Sequence, residues 1–243
     1  MRIPRLFVDL KFSSGETVFL PRDQAHHISH VLRMRSGDAI TLFNDSGLEF
    51  ESIIVELSKK GAMVDVGAAR QVDNESPLNI SLCLAIARAQ HMDFSIQKAV
   101  ELGVNNIVPV MSEYSNVKIQ AGRIQNKLNH WQNIIINAAE QCGRNRLTQL
   151  HEPVTFSECL ASDVSTTRLI LHPDSQQSMS AIESINNGLT LMIGPEGGFS
   201  DKEVFVAQEK GCVSINLGPR ILRTETAVVS AVSNAQQLWG DLN

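Results

Sequence analysis

The first seventy residues alternate short apolar runs with turn-forming residues, a pattern typical of β structure. Four runs rich in β-branched and aromatic residues are separated by turns such as Ser36-Gly37-Asp38. One stretch, Gln24–Arg33, has helical spacing instead, with its apolar residues on one face. Many short strands in so few residues predict a small β-barrel. The predicted strands are Thr17–Leu20, Ala39–Phe43, Phe50–Val55 and Ala62–Val66.

A polar segment that ends in proline, Arg70–Pro77, leads into a region with a different pattern of apolar residues. Beyond it, apolar strands alternate with amphipathic helices, which predicts a mostly parallel sheet covered by helices. We therefore expect an α/β protein with two domains, a small β-barrel at residues 1–72 and an α/β domain at residues 73–243. The predicted strands of the second domain are Leu78–Ala87, Asn106–Val110, Leu169–His172, Leu189–Gly194 and Val213–Leu217, and its predicted helices are Met92–Leu102, Arg123–Gln141 and Thr224–Trp239.

Composition is that of an ordinary globular protein. Of the 243 residues, 43% are hydrophobic and 19% are charged. No apolar run is long enough to cross a membrane, and the N-terminus lacks the layout of a signal peptide. Four cysteines are scattered without a C-x-x-C pair, which predicts reduced thiols and argues against zinc or a disulfide framework. We therefore expect a cytoplasmic protein without a bound metal.

The distribution of charge favours nucleic-acid binding at one end of the chain. The net charge of −5 argues against a generally basic nucleic-acid binder. Residues 1–35, however, contain six basic and three acidic residues, as well as His26, His27 and His30. This concentration of positive charge suits a surface that docks on phosphates, although solvated surface charge would give the same pattern.

Two glycine-containing loops follow two predicted strands near the carboxyl end of the chain. The first is Ile193–Ser200, with the sequence IGPEGGFS, and the second begins at Leu217 with LGPRILRTETA. Glycine permits sharp turns and lets the backbone approach a ligand closely. Loops at the carboxyl ends of neighbouring strands are where an open α/β sheet forms a ligand crevice, so these loops predict a cofactor site.

The sequence around these glycines argues against two common nucleotide sites. The pattern is G-x-x-G-G rather than G-x-G-x-x-G, and the next strand ends without an acidic residue. No Gly-Lys-Ser/Thr triplet is present, and a capping box at Ser200–Glu203 occupies the N–H groups that a phosphate would use. A ligand held by backbone groups and apolar side chains, such as an adenosine-bearing sulfonium, is favoured.

Together these segments resemble the ribosomal RNA small subunit methyltransferase E family of the SPOUT class. The resemblance implies a PUA-like barrel, a trefoil-knotted methyltransferase domain, a homodimer, and methylation of N3 of a 16S rRNA uridine in the small ribosomal subunit with S-adenosylmethionine. It extends over nearly the whole chain. Besides the two loops, the segments that resemble the family are Met1–Arg5, His30–Met34, Ile96–Val104 and Glu140–Asn145.

Residues around the two loops are the candidates for catalysis and cofactor binding. Methylation of uridine N3 requires loss of a proton and stabilisation of the resulting negative charge. Arg223 is the first candidate for contact with uracil or phosphate, while Glu196 is a candidate base, cofactor contact or loop brace. Thr224 is predicted to be the N-cap of the last helix, and Glu225 to complement its dipole. The predicted cofactor residues are Leu171, His172, Ile193, Gly194, Gly197, Gly198, Leu217, Gly218, Ile221, Leu222 and Thr224.

Basic residues outside the loops are candidates for RNA binding, with ordinary surface arginine as the alternative. His26 and His30 have a metal-compatible spacing, but no third ligand is in view, so no metal is predicted. The candidates for RNA contact are Arg2, Arg5, His30, Arg33, Arg35, Arg88 and Arg144.

Two positions depart from the family pattern, and neither His91 nor Tyr114 is assigned a role. Where the family commonly has a basic residue the chain has Gln90-His91-Met92, and where it commonly has Glu-Arg the chain has Glu113-Tyr114.

Three alternative functions stay open: a non-catalytic RNA-binding or ribosome-assembly factor, a nucleotide-dependent oxidoreductase, and a SPOUT enzyme that acts on tRNA.

Overall fold

The computed structural model describes residues 3–115, 121–162 and 165–242. It contains two compact units. The first extends to Glu75 and includes Ala139–Leu147, and the second contains Ser76–Ala138 and the chain from Thr148 onward. The sequence predicted two contiguous domains instead. The segment Ala139–Leu147 joins the first unit through side-chain contacts that sequence periodicity does not report.

The first unit is a five-stranded sheet with the order β1-β3-β4-β5-β2, in which only β1 and β3 are parallel. The four strands predicted for this region are confirmed. The predicted helix is shorter and is followed by a π-helical turn at His27–Val31, and β1 was missed because three residues show no periodicity. The elements are β1 (Arg5–Phe7), β2 (Thr17–Pro21), α1 (Arg22–His26), β3 (Ala39–Phe43), β4 (Leu48–Leu57) and β5 (Gly61–Gln71).

Buried ion pairs accompany the apolar core of this unit. Glu49 accepts hydrogen bonds from Arg5 and Arg70. Arg5 also donates to Asn145 Oδ1 at 2.5 Å, and Glu140 Oε1 accepts from the backbone N–H of Phe7 at 2.9 Å. These contacts attach the segment Ala139–Leu147 to β1, because a buried polar group needs a partner.

The second unit contains a seven-stranded sheet in which every pairing is parallel. The strand order is β12-β10-β11-β6-β7-β8, and β9 also pairs with β7. The five strands predicted from the sequence are confirmed, while the two-residue strands β8 and β9 were missed. The strands are β6 (Ile80–Ala85), β7 (Asn106–Met111), β8 (Gln149–Leu150), β9 (Val154–Thr155), β10 (Thr167–Leu171), β11 (Leu189–Ile193) and β12 (Val213–Ile215).

Five helices accompany this sheet. Thr155 and Ser200 each begin a helix with a capping box, in which the side chain of the third helical residue bonds back to the cap. The capping box predicted at Ser200–Glu203 is therefore confirmed. The helices are α2 (Ala89–Glu101), α3 (Ile124–Cys142), α4 (Phe156–Ala161), α5 (Asp201–Glu209) and α6 (Thr224–Trp239).

The apolar stripe of α6 belongs to the core. Val228 and Val232 are fully buried, and α6 packs against α2. The apolar spacing of Val228, Val232 and Leu238 would suit a dimer interface as well as a core, but burial within the chain places Val228 and Val232 in the core and leaves Leu238 exposed. Within the described residues, no helix is both long and apolar enough to span a membrane.

Candidate active site

A cavity of about 430 Å³ lies at the carboxyl ends of β10, β11 and β12, beside the amino end of α6. This volume is within the range of small-molecule sites, and the edge of the sheet is where open α/β sheets bind ligands. Both predicted glycine loops form its walls, and the loop after β10 supplies Leu171 and His172. Every residue predicted to bind the cofactor lines this cavity.

The first loop, residues 194–199, folds tightly on itself. The N–H of Gly198 donates to the carbonyl of Pro195 at 2.9 Å, which closes a turn. A Cβ atom at Gly194 would lie only 2.7 Å from the backbone carbon of Gly198, so this position tolerates no side chain without movement of the loop. The ring of Phe199 packs at 5.3 Å from that of Phe156 and anchors the end of the loop in the core.

The second loop, residues 216–222, is held by Asn216. Its side chain donates to the carbonyl of Ser175 and accepts from the N–H of Gly218 at 3.1 Å. Gly218 has a φ of 92°, which a residue with a side chain rarely adopts. Ile221, further along the loop, is 87% exposed at the mouth of the cavity. An apolar side chain so placed is available to a ligand or to a second surface.

The helix α6 has the predicted bounds, Thr224–Trp239, but its N-cap differs from the prediction. Arg223 is the N-cap and Thr224 is the first helical residue, so the prediction that Thr224 is the cap is wrong. Because Thr224 has already entered the helix, its side chain points inward; it is 3% exposed, and its Oγ1 has no hydrogen-bond partner among the described residues. A buried, unpaired hydroxyl in a cavity wall is a candidate ligand contact.

Arg223 is exposed, and its side chain makes no ion pair or hydrogen bond with the part of the chain that the structure describes. Arg88 is also exposed and is the N-cap of α2. Two exposed guanidinium groups thus lie at the amino ends of two helices that pack together. Helix amino ends and arginine side chains both favour anions, so this region suits a phosphate or a developing oxyanion.

Glu196 connects the first loop to α2. Its Oε1 accepts from the backbone N–H of Arg88 at 3.0 Å. Partial burial acts to raise the pKa of Glu196, but this hydrogen bond, one from its own backbone N–H, and the charges of His91 and Arg88 outweigh burial and hold that pKa below its usual value. A carboxylate with a depressed pKa is a poor proton acceptor. Of the three roles considered for Glu196, loop brace therefore has the best support.

Sequence reasoning assigned no role to His91, yet it lies between two carboxylates of the site. Its Nδ1 is 2.9 Å from Oε2 of Glu225, and its Nε2 is 3.9 Å from Oε1 of Glu196. The imidazole is 13% exposed. The only signal in the sequence was its departure from the basic residue common in the family, which does not show what it contacts.

Tyr114 is the second residue that sequence reasoning left without a role. It lines the cavity, is 46% exposed, and lies beside the first loop, since a Cβ at Gly197 would be 3.1 Å from its own Cβ. The preceding residue is fixed to α5: Glu113 accepts from Ser200 Oγ at 2.7 Å, and its N–H donates to Glu203 at 2.9 Å. An exposed aromatic ring on a braced backbone can stack on a base.

The predicted RNA-binding residues divide into buried and exposed groups. Arg5 and Arg144 are buried, with side chains 7% and 4% exposed, and Arg144 forms an ion pair with Glu75 at 2.6 Å. These partners explain both arginines as parts of the first unit, so we no longer assign them to RNA. The exposed candidates are His30, Arg33, Arg35 and Arg88, and Arg2 lies outside the described residues.

The imidazole rings of His26 and His30 are stacked, with centroids 4.2 Å apart. Among the described residues, no group of three or more histidine, cysteine or acidic side chains could hold a metal. His26 and His30 are thus two exposed, stacked imidazole rings in the basic part of the first unit.

The charge of the cavity matches a cationic ligand better than a polyphosphate. Its walls contain the carboxylates of Asp174, Glu196 and Asp201 but only one arginine, Arg220. The remainder of the lining is largely apolar or backbone, including Ile193, which suits an adenosine group. An adenosine-bearing sulfonium satisfies both requirements, and the unpaired Thr224 hydroxyl offers it a polar contact.

Comparisons with known proteins agree with this chemistry. Residues 74–236 match the RNA methyltransferase domain family, and residues 20–66 match the RNA methyltransferase PUA domain. The ribosomal RNA small subunit methyltransferase E of Buchnera aphidicola is 36% identical over 100% of this chain and 99% of its own. A methyltransferase from Legionella pneumophila, solved with the bound cofactor SAM, is 38% identical with a TM-score of 0.96, and each chain is covered completely.

The ribosomal RNA small subunit methyltransferase E of Neisseria gonorrhoeae, solved with S-adenosyl methionine, is also 38% identical, with a TM-score of 0.93 and complete coverage of both chains. Such similarity over the full length exceeds what a shared fold alone would give. The chain therefore belongs to the ribosomal RNA small subunit methyltransferase E family.

Proposed function

We propose that this protein transfers a methyl group from S-adenosylmethionine to N3 of a uridine in 16S rRNA, in the small ribosomal subunit. The observation that carries the proposal is the cavity itself. Two glycine loops and the amino end of α6 form an apolar, net acidic site, and exposed arginines lie at the nearby helix ends. Full-length similarity to rRNA methyltransferases solved with this cofactor supports the same assignment.

The cofactor, when bound, supplies a methyl group on a positively charged sulfur. The backbone of residues 194–198 and the second loop would hold it, with Thr224 Oγ1 as a polar contact. Carboxylates in the wall offset its positive charge. Because the loops are preformed by their own hydrogen bonds, they position the donor with little loss of freedom on binding.

The uracil must lose its N3 proton, and the negative charge that remains spreads over N3, O2 and O4. Arg223 is an exposed cation at the N-cap of α6, where the helix end adds its own partial positive charge. We assign it the stabilisation of this charge. Glu196, with its depressed pKa, braces the loop and is not assigned the proton.

The RNA itself would be bound by exposed basic residues of both units. His30, Arg33 and Arg35 are exposed in the first unit, and Arg88 is exposed in the second. Phosphate contacts of this kind position an RNA without reading its sequence. An enzyme that acts on ribosomal subunits works in the cytoplasm, which is the location we propose.

We further propose that the protein acts as a homodimer. The resemblance to the SPOUT class, which implies a homodimer, supports this, and Ile221 is 87% exposed at the cavity mouth, where a partner subunit would cover it. Size-exclusion chromatography with light scattering should give twice the mass of one chain. A fully active monomer would show that no partner subunit is required.

The test of function is methylation of 16S rRNA from a strain that lacks this protein. Purified enzyme and labelled S-adenosylmethionine should add one methyl group, which mass spectrometry of nucleosides identifies as 3-methyluridine. Arg223→Ala should abolish transfer while the melting temperature stays unchanged, and Lys210→Ala, an exposed cation of the same unit, should behave as wild type. Methylation of tRNA alone, or of no RNA, would refute the proposal.

A further inference from the structure

The side chain of His91 lies at the junction of three elements. It is the third residue of α2, and it approaches Glu225 in the first turn of α6 and Glu196 in the first cavity loop. Glu196 lines the cavity, and Glu225 follows Thr224, which also lines it. The imidazole therefore lies between two segments that would hold the cofactor.

Within the part of the chain that the structure describes, one of the two carboxylates beside His91 has a hydrogen-bond donor elsewhere, and the other has none. Oε1 of Glu196 accepts from the backbone N–H of Arg88, the N-cap residue of α2. Among the described residues, Oε2 of Glu225 has no well-aligned hydrogen-bond donor, although Nδ1 of His91 is 2.9 Å away. The charged groups that face the imidazole are thus Glu196 from the loop and Glu225 from α6, and the charge of Arg88, at the start of α2, acts on Glu196.

The number of protons on the imidazole decides how many of these contacts can form. A neutral imidazole has one N–H and no charge, so it forms an ion pair with neither carboxylate. An imidazolium pairs with both: its Nδ1 is 2.9 Å from Oε2 of Glu225, within hydrogen-bond distance, and its Nε2 is 3.9 Å from Oε1 of Glu196, close enough for an ion pair but not for a hydrogen bond. It also offsets the repulsion that two carboxylates exert when they are held close together.

We propose that His91 is a positioning residue that joins the first cavity loop to the amino end of α6, and that cofactor binding is accompanied by uptake of a proton at this imidazole. The proposal rests on the proposed function, since the cofactor is the ligand that contacts both segments. A ligand that touches the loop and Thr224 excludes water from the space beside Glu196 and Glu225, so the charges of these carboxylates act more strongly on the imidazole. This favours the protonated form of His91, and by linkage proton uptake favours binding of the ligand.

The experiment is calorimetric titration with S-adenosylhomocysteine, whose sulfur carries no charge, in buffers of different ionisation enthalpy at pH 7.5. The dependence of the measured heat on the buffer gives the proton uptake, which we expect to be positive for the wild type and at most about one per site. His91→Lys places a permanent cation there and should bind without uptake. His91→Gln should bind about tenfold more weakly, because one charge-assisted contact is lost.

His130→Gln is the matched control. His130 lies 2.9 Å from Asp93 on an exposed part of the second unit, so it is also a histidine paired with a carboxylate, but it does not line the cavity. This variant should show the proton uptake of the wild type. Melting temperatures of all variants test whether each one is folded.

Several results would overturn the proposal. Heat independent of the buffer in the wild type, or equal uptake in folded His91→Lys and wild type, would show that His91 does not take the proton. Unchanged affinity in His91→Gln would show that it does not join the two segments. These results are separable from failure of the proposed function, because a wild type that binds the cofactor analogue but methylates no rRNA contradicts only the function.

Discussion

Replacing Gly194 by alanine adds a methyl group where the first cavity loop folds back on itself. The new Cβ would lie 2.7 Å from the carbonyl carbon of Gly198, 2.9 Å from its Cα and 2.9 Å from the backbone N of Phe199. All three are backbone atoms, which cannot rotate away as a side chain would. Ordinary contact begins near 3.4 Å, so the loop must open by about 0.7 Å.

Overpacking of this size costs about 1–3 kcal/mol. The displaced atoms belong to the loop that would hold the cofactor, so we expect the strain to appear mainly as a loss of affinity, about tenfold to a hundredfold. Calorimetric titration with S-adenosylmethionine measures this loss, and thermal unfolding measures the accompanying change in stability.

Gly122→Ala is the control, because a Cβ at Gly122 meets nothing within 4 Å. It should bind the cofactor as the wild type does. If Gly194→Ala were folded and bound S-adenosylmethionine with unchanged affinity, the first loop would not be the cofactor wall.

Two further predictions concern the stability of the fold in acid and the stacking of Tyr114 on an RNA base. Burial acts to raise the pKa of Glu49, but hydrogen bonds and charge from Arg70 and Arg5 outweigh it and lower that pKa below the ordinary 4.5. Because the pKa is lower in the folded state, the ionised carboxylate stabilises the fold at pH values above the ordinary pKa, and this stabilisation is lost as the pH falls through the folded-state pKa. Glu49→Gln should therefore be less stable than the wild type at pH 7. Its free energy of unfolding, measured by denaturant titration, should fall less steeply between pH 5 and 3. Tyr114→Ala should raise the KM for RNA about tenfold, as expected for loss of base stacking, whereas Tyr114→Phe should not. Equal KM values for the two tyrosine variants would exclude stacking.

Much of the fold and of the cavity could be predicted because the sequence features that specify them are local. Apolar runs with glycine or proline at their ends specify strands and turns wherever they occur, and this pattern placed the long strands of both units within a few residues. Loops that follow parallel strands meet at one edge of the sheet. The residues of Ile193–Ser200 and Leu217–Thr224 were therefore expected together, and both groups contribute to the cavity lining, although Arg223 itself is not part of that lining.

Other assignments depend on partners that are distant in the chain. Arg5 and Arg144 have the sequence features of surface arginines, but Glu49 and Glu75 bury them as ion pairs. The side-chain environment of a charged residue is decided by which groups the fold brings near it, and composition does not report this.

The sequence by itself determined the two-part architecture, the edge of the sheet at which the cavity lies, and the glycine-lined, apolar character of that site, because these follow from periodicity and from turn residues a few positions apart. Only the tertiary structure decided that Glu196 accepts from the backbone N–H of Arg88 at the start of α2, and that His91 lies between two carboxylates. Those contacts join segments about a hundred residues apart, where packing of the whole unit, not local propensity, sets the distances.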